Sequence, residues 1–223
     1  MSNWPFILKV SQMISLKAFR EKEELFKNID SLIDGSIMKV DYIRTNHGVC
    51  LNTFSIGLDS VLVKKKDDFS STRIFGSSAP YTLGFLYSVF MSKADEYEVI
   101  LDDKRFTGKF SEIFFGNGGC IGGTLWFELA PNVTDGLGFY SIFTEKKSFQ
   151  MLPILNTLAQ KKTDKVKQLS ECGYSKTITI RRTDGMSFRM DFDGELQPGF
   201  PEWKAEIVHE GISFVVPKGV VNE

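Results

Sequence analysis

Two short runs carry residue types suited to hydroxyl or phosphate chemistry: Asp191-Phe192-Asp193-Gly194-Glu195 and, upstream, Gly116-Asn117-Gly118-Gly119-Cys120-Ile121-Gly122-Gly123. A carboxylate beside a substrate hydroxyl can accept its proton or hold a magnesium ion, once burial and neighbours tune it. A glycine-rich run lets bare backbone approach a phosphate closely. Residues 186–193 alternate, with Met186, Phe188, Met190 and Phe192 on one side and Ser187, Arg189, Asp191 and Asp193 on the other, which predicts a half-buried strand with its acids on the polar face. Continued, that strand would set Glu195 about 6–7 Å from Asp193. Asp-Gly is also a favoured type I′ pair, so a plain hairpin turn is the alternative. Pro198 and Pro201 disfavour a matching return strand and point to a sheet that ends at a rim, its acids accessible.

The glycine-rich run fits neither the dinucleotide fingerprint, whose third glycine position falls on Ile121, nor a P-loop, whose Lys-Ser/Thr ending it lacks. It is either a cradle for substrate or a strand-to-loop passage where small residues allow close packing. Residues 130–136 read as a turn in which Asp135 is a turn acid or a ligand. His47 and His209 stand apart from any triad or metal spacing.

The elements that must position these runs are mostly strands. Residues 14–34 have helical spacing, with Leu25, Ile29, Leu32 and Ile33 apolar and Gly35 suited to a C-terminal cap. Strands are expected at 40–45 and 49–56 around Asn46-His47-Gly48, at 96–101 and 105–115 around Asp102-Asp103-Lys104, and at 136–144. A hairpin is expected between 176–182 and 186–193 across Thr183-Asp184-Gly185, and a last pair, 206–209 and 212–216, hinges at Glu210-Gly211. Helices are expected at 81–92, apolar enough for core or a lipid-tail groove, and at 148–160, with Met151, Leu152, Leu155 and Leu158 inward. Residues 161–167 read as a solvated basic segment. Mostly antiparallel pairs with few helices predict a mainly β fold, an antiparallel β-sandwich with peripheral helices over 39–218, preceded by a helical segment at 1–38.

Composition narrows the classes. With 223 residues the chain can bury a substantial core. A net charge of −1 without a long Lys/Arg block argues against nucleic acid as a partner. Three widely spaced cysteines suit neither a disulfide framework nor a zinc site, which fits a reducing cytoplasm. The first residues lack the pattern of a secretory signal, and the longest apolar tract is too short to span a bilayer.

Taken in order, Val40-Asp41, the run from Asn52 to Asp59, the loop from Gly116 to Gly123, Ala130-Pro131 with Asp135-Gly136-Leu137, and Asp193-Gly194-Glu195 resemble the bacterial diacylglycerol kinase and sphingosine kinase-like lipid kinases. The resemblance covers about residues 20–218 and only the family's C-terminal domain, itself a β-sandwich. It implies Glu195 as general base toward a lipid hydroxyl and Asp193 beside it, near metal and phosphates. It further implies a substrate-contacting loop of Asn117, Gly118, Gly122 and Gly123, and a ligand to a structural magnesium at Asp135. An ungapped alignment sets Leu137 where the family has a metal-binding Asp, and Thr124 replaces a third glycine.

Such kinases use Mg2+ and ATP, the nucleotide being held by an N-terminal domain with a Gly-Gly-Asp-Gly-Thr signature that these residues lack. Phosphoryl transfer is mostly positioning and charge stabilisation around the nucleotide. The chain alone is therefore expected to be inactive, and to work as the substrate-side half of a lipid kinase with a separate ATP-binding half, at the inner face of the membrane. A surface left by that half could favour a homo-oligomer. The rival expectations are a noncatalytic remnant that binds an amphiphile or partner, and a nicotinamide-dinucleotide-kinase-like relative.

Overall fold

The computed structural model describes residues 30–33, 35–57, 94–121, 125–129 and 132–217. The expected helix at 81–92 lies outside these, as does the expected helix at 14–34 apart from the helical turn Asp30–Ile33. The described strands are β1 (Ser36–Thr45), β2 (Gly48–Cys50), β3 (Thr53–Gly57), β4 (Asp95–Leu101), β5 (Lys104–Gly116), β6 (Cys120–Ile121), β7 (Leu125–Trp126), β8 (Gly138–Thr144), β9 (Glu171–Ser175), β10 (Thr177–Arg182), β11 (Asp191–Phe192), β12 (Glu195–Leu196) and β13 (Glu202–Val216). Two helices, α1 (Ser148–Ala159) and α2 (Thr163–Leu169), follow β8. The fold is mainly β and antiparallel, as the sequence pattern predicts.

Eleven strands form one hydrogen-bonded network in the order β12-β11-β3-β5-β4-β10-β13-β1-β2, with β8 and β9 branching from β5. The branch explains how one network makes two layers. The first half of β5 pairs with β4, the second half lies between β3 and β8, and the register slips between Phe110 and Glu112. A strand that changes layers through such an irregularity turns a sheet's corner. Ile43, Val99, Ile180 and Ile207 from one layer then meet Phe54, Ile113, Phe115, Tyr140 and Phe192 from the other in one buried core. The rings of Phe192 and Trp203 lie 5.1 Å apart although four strands separate β11 from β13 in the order, so the sheet has curled upon itself.

The opposite face of the β5–β8 layer carries the second core. Phe114, Phe139 and Phe143 point there, alternating with the inward Ile113, Phe115, Tyr140 and Ile142. Helix α1 covers them with Met151, Ile154, Leu155 and Leu158, one apolar stripe at helical spacing.

Four local expectations are corrected. The run 49–56 is not one strand: it breaks at Leu51-Asn52 into β2, which pairs with β1, and β3, which pairs with β5 and β11. The turn at Thr183-Asp184-Gly185 forms, with Gly185 at φ 72° and Asp184 accepting the Met186 amide, yet β10 pairs with β4 and β13 instead of 186–193. Local turn chemistry fixed the bend, while the buried faces of Ile178 and Ile180 fixed the partners. Glu210-Gly211 is no hinge between two strands but a bulge inside β13, where the register with β1 slips between Val40 and Tyr42. Residues 161–167 are not simply solvated, because α2 begins at Thr163 and buries Thr163 and Val166.

Candidate functional site

The acidic run ends in a tight turn. Asp193 and Gly194 both have positive φ, 49° and 87°, and join β11 to β12 with Phe192 opposite Glu195, the geometry of a type I′ hairpin. The hairpin alternative is what forms, in place of a continuous strand running past Asp193. Glu195 shares a face with Phe192, the inner face of the layer, but stands exposed on the outermost strand. Among the described residues no side chain or amide engages its carboxylate. Asp191, on the other face, is buried, and one of its oxygens accepts the Gly194 amide at 3.2 Å.

Asp193 is placed differently. Its Oδ2 accepts the Leu51 amide at 2.7 Å, and its Oδ1 accepts the amides of Asn52 at 2.9 Å and Thr53 at 3.0 Å. The single proton of the Cys50 thiol is shared between the same Oδ1, 3.3 Å away, and Thr53 O, 3.0 Å away. The Asp193 amide in turn donates to Thr53 O at 3.0 Å. The corner between β2 and β3, where ladder bonds change partners, thus receives an anion in place of a strand. Burial, with the Asp193 charge beside it, pushes the Cys50 thiol well above its ordinary range, so it stays a neutral donor.

The same corner holds the glycine-rich loop from its other side. Asn52 O accepts the amides of Asn117 at 2.8 Å and Gly118 at 3.0 Å. A Cβ on Gly118 would fall 1.8 Å from Asn52 Oδ1, and one on Gly119 would fall 1.9 Å from Glu128 O. Glycine is therefore demanded at 119 by the Glu128 backbone and at 118 by the buried Asn52 side chain. Asn117 is buried, its Nδ2 donates to Asp41 O at 2.8 Å, and its Oδ1 has no hydrogen-bond partner among the described residues. Gly122, Gly123 and Thr124, with Ala130 and Pro131, lie outside the described residues.

Asp135 lies apart from Asp193 in the hydrogen-bond pattern. It is exposed and accepts the Leu137 amide at 2.9 Å, an Asx turn. Among the described residues no three His, Cys, Asp or Glu side chains form a metal-holding group. Close by, Glu128 is buried and bonded to Tyr174 Oη at 3.2 Å and Lys167 Nζ at 2.9 Å. The Glu128 bond holds the Lys167 ammonium above its usual range.

Two positioning residues went unassigned in the sequence. Asp41, fully buried, accepts the amides of Gly136 at 2.7 Å and Glu210 at 2.6 Å and faces His209 Nδ1 at 3.0 Å. It fills the β13 bulge and pins the 132–137 loop, and its one signal was an acid inside the apolar run Val40-Asp41-Tyr42-Ile43. Asn52 joins the two candidate segments, and its signal was the polar pair Asn52-Thr53 interrupting an apparent strand.

Comparison with known proteins places this fold. Three solved structures from Bacillus anthracis str. Sterne resemble it: two of proteins provisionally named a diacylglycerol kinase, with TM-scores of 0.62 and 0.59 at 18% and 16% identity, covering 97% and 92% of this chain. The third, of diacylglycerol kinases, has a TM-score of 0.59 at 14% identity and covers 92% of this chain. The chain spans 65%, 65% and 62% of the lengths of these structures. No family profile and no curated sequence matches the chain. The likeness shows that the chain has the fold of this part of those kinase-named structures.

Proposed function

We propose that this chain is the substrate-side half of an ATP-dependent lipid kinase that phosphorylates the hydroxyl of a diacylglycerol-like lipid. The observation that carries this is the Asn52 peptide unit, whose amide is held by Asp193 and whose carbonyl holds Asn117 and Gly118. It brings the acidic turn and the glycine-rich loop to one corner, the juxtaposition that the order of motifs anticipates. In this reading Glu195, exposed and unengaged among the described residues, takes the proton of the lipid hydroxyl as its oxygen attacks the γ-phosphorus. The bond to ADP breaks and the proton rests on the Glu195 carboxylate. Asp193 stands beside it, and Asn117 and Gly118 contact the substrate, a role the resemblance extends to Gly122 and Gly123; Asn117 Oδ1 has no donor among the described residues.

A magnesium ion would neutralise charge on the transferring phosphoryl group. Asp135 would hold a separate, structural magnesium, since one of its oxygens remains uncommitted among the described residues and Mg2+ keeps waters in most of its positions. Asp193 does not fit, its oxygens being taken by three amides and a thiol. ATP falls to a separate half. Ile37 and Val215, cross-strand partners 74% and 54% exposed at one end of β1 and β13, offer that half or a second copy an apolar seat. No described helix is long and apolar enough to cross a membrane.

The test is to mix the chain with an ATP-binding half bearing the missing signature, supply vesicles containing diacylglycerol, and follow transfer from labelled ATP. Phosphorylated lipid that depends on both halves and is lost in Glu195→Gln is expected. A folded mixture without transfer that still binds the lipid would favour the noncatalytic amphiphile-binding alternative.

A further inference from the structure

Resting on that reading, we propose that Asp193 is a positioning residue that neither carries the proton nor holds the metal. Three features of the geometry point the same way. First, an acid-base group or magnesium ligand needs a lone pair facing the reactants, and the Asp193 oxygens face main-chain amides of Leu51, Asn52 and Thr53 at 2.7 to 3.0 Å. Hydrogen bonds to a charged acceptor are stronger than neutral ones, so three of them hold this side chain firmly in place. Second, the buried Cys50 thiol donates to Oδ1, adding a fourth donor from the core side. Third, the backbone of Asp193 is fixed as well: its amide donates to Thr53 O, and its positive φ belongs to the turn that delivers Glu195 to the edge.

The function of the arrangement follows from what lies across the corner. The three amides belong to the segment whose Asn52 O and Nδ2 hold Asn117, Gly118 and the Cys120 carbonyl. Asp193 therefore sets the Glu195 hairpin relative to the glycine-rich loop through one rigid segment, without touching either the loop or a substrate. Of the two acids in Asp-Gly-Glu, the first is the strut and the second alone does chemistry.

The chain itself suffices for the test, by amide NMR with Mn2+ as a paramagnetic stand-in for magnesium and with Asp193→Asn and Glu195→Gln. Expected in the wild type is no Mn2+ broadening of the Leu51, Asn52 and Thr53 amides. In Asp193→Asn, amide exchange should rise about tenfold or more at those residues and also at Asn117 and Gly118, which Asp193 does not contact. Glu195→Gln should leave all five unchanged. The Cys50 S–H stretch, assigned with Cys50→Ala, should sit at low frequency in the wild type, as a thiol bonded to a carboxylate does; this readout and the Mn2+ result stand even if Asp193→Asn fails to fold. Selective Mn2+ broadening at the corner, a Cys50 stretch of a free thiol, or unaltered exchange at Asn117 and Gly118 in a folded Asp193→Asn would each overturn the proposal. None of these readouts depends on kinase activity, so they separate this inference from the wider one.

Discussion

Asp41 and Asp193 solve the same problem in two places, and the contrast separates architecture from site. Each is a carboxylate set where an antiparallel ladder fails, at the β13 bulge for Asp41 and at the β2–β3 corner for Asp193, and each collects the amides left over. Asp41 is wholly enclosed and its remaining partner is an imidazole, so it locks one layer to the 132–137 loop. Asp193 is only half-buried, and two residues further on the chain presents Glu195 to solvent. An internal acid that satisfies backbone is a structural part; the neighbour it leaves free is where chemistry is to be sought.

The comparison breaks most readily at Asp41. Removing the fully buried carboxylate in Asp41→Ala empties its place in the core and takes the acceptor from two amides and an imidazole, and a loss of about 3 kcal/mol or more is expected in urea unfolding. Asp193→Ala removes a carboxylate that is only half-buried, so water can enter its place beside the three amides, and about 2 kcal/mol is expected by the same measurement. Equal losses would mean that exposure does not distinguish the two.

Alkaline pH probes the corner without mutation. The folded state raises the Cys50 pKa above its ordinary 9.0. The stabilisation linked to the protonated thiol is thus complete below that value and is lost as pH climbs through the higher folded pKa. Unfolding midpoints measured at rising pH should fall above pH 9, and should fall less in Cys50→Ala. The smallest effect belongs to Glu195→Gln, whose side chain touches no described group. Its stability should stay within about 0.5 kcal/mol of the wild type in the same urea titration.

Much of this was legible in the chain. The β4–β5 hairpin was, because Asp102-Asp103 between two alternating runs leaves little choice; the two strands meet at Leu101 and Lys104. Helix α1 was, because its apolar stripe is periodic. The partner of β10 was not, since a turn after a strand states only that the chain bends, whereas pairing is decided by burial contributed from residues far away. The candidate site was half legible. Its two runs stood out by composition, but the unit joining them, Asn52, lies more than sixty residues before one and 140 before the other, and it joins them with its main-chain N–H and C=O, which no side-chain pattern encodes. The turn at Asp193-Gly194 is tight, yet through that unit it remains tied to the glycine-rich loop.

The most direct test of the central claim is the binding of a short-chain diacylglycerol to this chain, followed by amide NMR. The account predicts that the signals of Glu195, Asn117 and Gly118 shift together along one saturation curve, and that Glu195→Gln weakens it. Saturable shifts elsewhere that leave these three unmoved, or no binding at all, would contradict it.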